Sequence, residues 1–153
     1  MSEGMSGTSV TRAGMQCARG ISTSDGRLVA CYTPEAERIL SARPGLRRAV
    51  DYLVELMLSE GVEAVLVSFS EDWYEPDWRC KRFEDGVGYG CVVYADRTIR
   101  VTPYRGPPCS MGSMEAVDWQ EKMYVRMAER YPNVERYYRI YVIVDPCDDA
   151  RPW

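Results

Sequence analysis

The sequence predicts a single α+β domain: a mixed sheet, made of an N-terminal hairpin and three to four core strands, covered by two to three helices. Three observations predict it. Apolar residues recur at three- and four-residue spacing in two stretches, Leu46, Ala49, Val50, Leu53 and Met57, then Val117, Tyr124, Met127, Ala128 and Tyr131, which is the signature of helices packed by one face. Residues 62–70 (VEAVLVSFS) are apolar on both faces, as a central strand must be. Shorter runs at 21–32, 98–104 and 134–144 alternate as partly buried strands do. A length of 153 residues with 46% hydrophobic and 27% charged content is sized for one globular core.

The elements follow in order. Residues 1–15, rich in Gly, Ser, Thr and Met and without periodicity, are expected to be a mobile tail, with the domain spanning 16–147 and a short C-terminal tail at 148–153. Ser24-Asp25-Gly26 is a turn signal inside residues 21–32 and makes them a hairpin. Thr33 followed by Pro34 reads as an N-cap and a first helical residue, opening a short helix that buries Ala36, Ile39 and Leu40. Pro44 opens the strongest helix, which Gly61 stops. Residues 88–95 and 98–104 are expected to form a second hairpin around Asp96-Arg97. The turn-rich link RGPPCSMG leads to a helix capped by Ser113, and Pro132-Asn133 breaks it before the last strand.

Composition excludes several kinds of chemistry. With no histidine, the chain has no Ser-His or Cys-His relay and no His-containing zinc site. Acid/base work would fall to carboxylates, Lys, Tyr or Cys. A net charge of −4 and a pI near 5.0 disfavour nucleic acid as a partner, which needs a basic face. The run Ala64-Val65-Leu66-Val67 is too short to span a bilayer, and the N-terminus lacks the apolar core of a signal peptide. The expected location is therefore cytoplasmic. Lys81 and Lys122 are the only lysines among 19 basic residues, and Asn133 is the single asparagine. Arginine for lysine with few labile amides is a thermophile-like composition, and GC-rich codons produce the same arginine bias. In a hyperthermophile even intracellular cysteines pair. Cys17, Cys31, Cys80, Cys91, Cys109 and Cys147 contain no close C-x-x-C pair, so disulfides are expected rather than a metal site. Cys17 with Cys31 would pin the N-terminal hairpin, and Cys80 with Cys91 would close the loop between two strands.

Two constellations bear on function. Residues 70–86 (SEDWYEPDWRCKRFEDG) join two core strands and carry Trp73, Tyr74, Trp78 and Arg79. Large aromatics and arginine dominate recognition surfaces, so residues 71–83 are expected to bind another protein or a ligand. The competing expectation is a flap whose indoles fill the edge of the core. The second constellation is acidic. The order helix–strand–strand–strand–helix–strand is that of the PD-(D/E)xK nuclease core, and Glu55 and Asp85 could hold a metal there. Thr98-Ile99-Arg100 stands where that pattern needs an acid-x-Lys, and element order alone is weak evidence of function. Glu71 and Asp72, with Asp145, Asp148 and Asp149, would gather a cation only if their strands are adjacent and parallel. Arg97, Arg100 and Arg105 with Tyr94 and Tyr104 would make a stacking surface for single-stranded nucleic acid if they share a face.

The expectation that follows is a small non-enzymatic binding or adaptor module, with no cofactor, whose partner is another protein. A metal-dependent, nuclease-like or degenerate nucleic-acid-processing protein is the rival reading, and a structural subunit of a larger complex or virion the third.

Overall fold

The turn at Asp25-Gly26 sets the first antiparallel ladder. Gly26 takes φ +89°, Gly26 N–H donates to Thr23 O at 2.9 Å, and the Thr23 hydroxyl holds the Asp25 carboxylate, keeping its pKa below the ordinary value. The structure, a computed structural model, describes strand residues 5–6 and 9–10 and residues 16–70, 97–134, 140–145, 147 and 153. Within the stretch expected as a tail, β1 (Met5–Ser6) and β2 (Ser9–Val10) take strand positions. β2 pairs with β3 (Gln16–Cys17), and β1 with β4 (Arg19–Ser22). β4 pairs in turn with β5 (Leu28–Tyr32), Ile21 lying opposite Ala30.

The two helices that follow form for the reasons legible in their caps and stripes. In α1 (Pro34–Ser41) the Thr33 side chain accepts the Ala36 N–H at 3.3 Å, and Ala36, Ile39 and Leu40 are buried. In α2 (Pro44–Ser59) every residue of the expected stripe is fully buried, joined by Val54 and Leu56. Gly61, at φ +99°, ends it in a conformation that side chains disfavour. β6 (Ala64–Ser70) then runs parallel to β5, with Cys31 opposite Leu66. A parallel neighbour requires such a helical crossover, here supplied by α1 and α2.

β7 (Thr98–Tyr104) pairs antiparallel with β6 over its whole length, Ser70 opposite Thr98. On its other side β8 (Tyr141–Val144) runs parallel, Thr98 opposite Tyr141. The expected hairpin around Asp96-Arg97 is corrected by these registers, because both edges of β7 beside Thr98 are taken. Residues 88–95 lie outside the described residues. Between β7 and β8 come a tight 3-10 turn (Pro107–Ser110) and α3 (Ser113–Arg130). Gly106 precedes the turn at φ +89°, and a Cβ there would lie 2.5 Å from Gly61 O.

α3 corrects two expectations. Its N-cap is Gly112, whose N–H is taken by the Glu115 carboxylate at 3.1 Å, so Ser113 is the first helical residue. Its buried stripe is Trp119, Met123 and Met127, while Val117 is 58% exposed. The two stripes share Met127, but their centres differ by about a quarter turn of the helix. Asp118, Glu121, Lys122 and Glu129 mark the solvent face, and the buried stripe lies opposite them.

The sheet order is β1-β4-β5-β6-β7-β8. Side chains of Ala30, Val65, Val67, Ile99, Val101, Val142 and Val144 join residues of all three helices in one core. The alternate residues Cys31, Ala64, Leu66 and Tyr104 form a second, smaller cluster with Cys17, backed by Leu28 and Trp153 and, among the described residues, by no helix residue. The fold is thus a single α+β domain with the three described helices on one face of a mixed sheet. Among the described residues no helix is long and apolar enough to cross a membrane.

Candidate functional site

Three arrangements concentrate polar or open surface, and each follows from strand register. The first lies at the helix-covered end of β4 and β5. Arg19 and Tyr32 are opposite each other in the ladder and project to the helix side, where Asp51 comes down from α2. Tyr32 Oη donates to Asp51 Oδ1 at 2.6 Å, and Arg19 clamps the same carboxylate with contacts of 2.8 and 3.2 Å. The Arg19 guanidinium lies over the Tyr32 ring at 4.7 Å. Arg47, one turn before Asp51, holds Glu37 of α1 at 2.8 Å and approaches Asp51 at 3.8 Å. Burial, then the charge of Asp51 and the hydrogen bond to it, push the Tyr32 phenol well above its ordinary pKa. Burial opposes the charged form of Arg19, and the hydrogen bond to Asp51 with the charges of Tyr32, Asp51 and Glu37 outweighs it, raising its pKa. Two arginines and two carboxylates balance in charge, and Tyr32 stays protonated. Such a network ties sheet to helices.

The second lies on the opposite face, across β6, β7 and β8. Arg100 donates to Asp145 Oδ1 at 2.9 Å and to Ser70 Oγ at 3.4 Å, and Thr102 donates to Asp145 Oδ2 at 2.8 Å. Asp145 therefore clasps the end of β8 to β7, and both its oxygens are engaged. Glu71, Asp72, Asp148 and Asp149 lie outside the described residues, and the condition set for a cation site with Asp145, adjacent and parallel strands, is not met. β7 separates β6 from β8, and β6 and β8 run in opposite directions, so Asp145 lies beside Thr102 and not beyond Ser70. Of the stacking surface expected for single-stranded nucleic acid, Tyr94 lies outside the described residues, and three of the other members are engaged elsewhere. Arg100 is committed to Asp145, Arg105 reaches Glu63 at 3.8 Å, and Tyr104 is buried edge-on to Trp153. The Trp153 indole donates its N–H to Leu28 O at 3.1 Å, so this residue is a packing group of the second cluster.

The third is an open groove of ≈ 450 Å³ between α3 and the edge strand β8, walled by Val117, Gln120 and Tyr124 on one side and Val142, Ile143 and Val144 on the other. The Gln120 side-chain amide donates to Val144 O and so satisfies part of the strand's outer edge.

Among the described residues two disulfides frame these surfaces. Cys17 is joined to Cys31, both fully buried, beneath the second cluster. Cys109 is joined to Cys147 across a sequence separation of 38. The first pairing is the one expected from hairpin spacing. No local signal points to the second, because its partners meet only after α3 and β8 have folded back. Cys80 and Cys91 lie outside the described residues, as do Trp73, Tyr74, Trp78, Arg79 and Asp85. Glu55 is on the exposed side of α2. Among the described residues no three of His, Cys, Asp and Glu gather as a metal site would require. Asp51 meets Arg19, Tyr32 and Arg47, and its i,i+4 spacing from Arg47 was the one sequence signal for it.

No protein-family model, curated protein or solved structure matches the chain.

Proposed function

We propose that the chain is a small non-enzymatic binding module that recognises another protein through residues 71–83, with Trp73 and Trp78 as anchors and Tyr74 and Arg79 beside them. The observation that supports this reading is the register of β6 and β7. Ser70 and Thr98 are directly paired, so residues 71–96 depart from and return to one end of a fully paired ladder. Residues displayed from a rigid scaffold pay less ordering entropy when they bind. Indole rings and a guanidinium in that segment supply the apolar area and charge that anchor interfaces. The polar networks elsewhere are internally balanced, in keeping with a scaffold role for the rest of the fold. The proposed compartment is the cytoplasm of an organism in which intracellular disulfides persist; an oxidising compartment is the other setting that suits two disulfides.

The test compares tagged wild-type protein with a Trp73→Ala/Trp78→Ala variant in native extract and in thermal melts. The expected result is a stoichiometric protein partner retained by the wild type and lost by the variant, with the melting temperature changed by less than about 2 °C. A drop of more than about 5 °C would make the two indoles core residues. Retention of the same partner by the variant would remove them from the interface.

A further inference from the structure

We propose that the Cys109–Cys147 disulfide is a reducible latch that sets the rigidity of β8 and of the groove beside it, while Cys17–Cys31 is permanent. The proposal is independent of how residues 71–83 are used. It starts from the contrast between the two bonds. Cys17 and Cys31 are fully buried, and the cluster that contains them is backed by Leu28 and Trp153. Cys109 and Cys147 are both only partly buried. Exchange requires a thiolate to reach a disulfide sulfur, so a reductant meets one bond in the folded protein and not the other.

Position gives the accessible bond its consequence. Cys109 sits in the 3-10 turn that leads into α3, and Cys147 lies just past the end of β8. The bond therefore joins the two walls of the α3–β8 groove at one end. β8 is only four residues long and, among the described residues, lies at the edge of the sheet with β7 as its one strand partner. Such an element belongs to the least stable part of a fold unless it is tied down. Reduction is a two-electron step. A dithiol attacks through its thiolate, forms a mixed disulfide with one cysteine, and its second thiol closes to release the protein as two thiols while the reductant becomes a disulfide. After reduction β8 still keeps its ladder to β7, the Gln120 bond to Val144 O and the Asp145 clasp. The strand accordingly loosens in place and the groove becomes adaptable, without global unfolding.

The test treats the folded full chain with dithiothreitol at neutral pH, quenches by alkylation, and follows peptides carrying each cysteine by mass spectrometry. The expected result is labelling of Cys109 and Cys147 at least about tenfold faster than Cys17 and Cys31. Far-UV circular dichroism should stay unchanged, and amide exchange in residues 141–145 should rise about tenfold. A Cys109→Ser/Cys147→Ser variant should show the same raised exchange without reductant. Equal labelling rates for the two pairs would overturn the proposal, as would reduction of Cys109–Cys147 only on global unfolding. So would unchanged exchange of β8 in both the reduced protein and the serine variant.

Discussion

The two faces of the sheet are held by different physics. On the helix side, Val65, Val67, Ile99, Val101, Val142 and Val144 meet Leu46, Leu53, Met57, Met123 and Met127 in one continuous apolar core. On the other side, among the described residues, the apolar cluster is Cys17, Cys31, Ala64, Leu66 and Tyr104, and the Ser70–Arg100–Asp145–Thr102 network lies beside it. A continuous core gains stability from area removed from water. A small patch gains less, and here a disulfide inside it and an indole over it make up part of the difference. The same strands thus serve as packing elements on one face and as a platform for polar and covalent ties on the other.

Core truncation should separate the faces most sharply. Leu53→Ala, at a fully buried position between α2 and the sheet, should cost about 4 kcal/mol in urea unfolding, because the surrounding helices cannot collapse onto the void. Leu66→Ala, on the second face at 9% exposure, should cost about 2 kcal/mol. Equal losses would mean that the second face is packed as tightly as the first.

Next in size is the covalent tie. Cys17→Ser with Cys31→Ser opens a loop whose ends are 14 residues apart, and loop-closure entropy puts the loss at about 3 kcal/mol. Thermal melts of the double variant beside the wild type would measure it. A loss below about 1 kcal/mol would show that Trp153 and Tyr104 hold the patch without the bond.

A smaller effect is expected at the join between sheet and helices. Tyr32→Phe removes the donor to Asp51, worth about 1.5 kcal/mol for a bond to a charged group. Its pH dependence carries a defined sign. The folded-state pKa of Tyr32 is raised above its ordinary value of 10.0, so the stability tied to the neutral phenol is complete below that pH and is lost as the pH rises above it. Wild-type stability should therefore fall more steeply than that of Tyr32→Phe as the pH rises above about 10. Parallel curves would show that the buried phenol ionises without penalty.

The smallest effect belongs to the surface. Arg126 and Glu60 meet at 3.4 Å with side chains 48% and 40% exposed, and Arg126→Ala should cost less than about 0.5 kcal/mol in the same unfolding assay. A larger loss would give this pair a role in docking α3 against the end of α2.

Much of the frame was legible because it depends on neighbours in sequence. Thr33-Pro34 caps α1, the spacing of Leu46 through Met57 buries α2, and Val65 to Val67 with its apolar alternates demands a strand covered on both faces. α3 was legible as a helix and not in its rotation, since Val117 and Trp119 offer two apolar stripes and only docking against Met57 and the sheet chooses between them. The hairpin around Asp96-Arg97 was misread because spacing says that two strands are near each other and nothing about who already occupies the edges of β7. Of the candidate sites, the Tyr32–Asp51–Arg19 network had a partial signal in Arg47 and Asp51, and the Asp145 clasp had none.

By itself the sequence determined the class of the molecule. Its apolar periods require a covered sheet, its lack of histidine removes imidazole chemistry, and its hairpin spacing brings Cys17 within reach of Cys31. Those properties rest on composition and on contacts a few residues apart. Only the tertiary structure decided that β8 joins β7 in parallel, that Cys109 meets Cys147, and that Asp145 is spent on Arg100 and Thr102. Each of these brings together residues dozens of positions apart, and their energies depend on strand register, which the chain acquires only when the whole sheet is assembled.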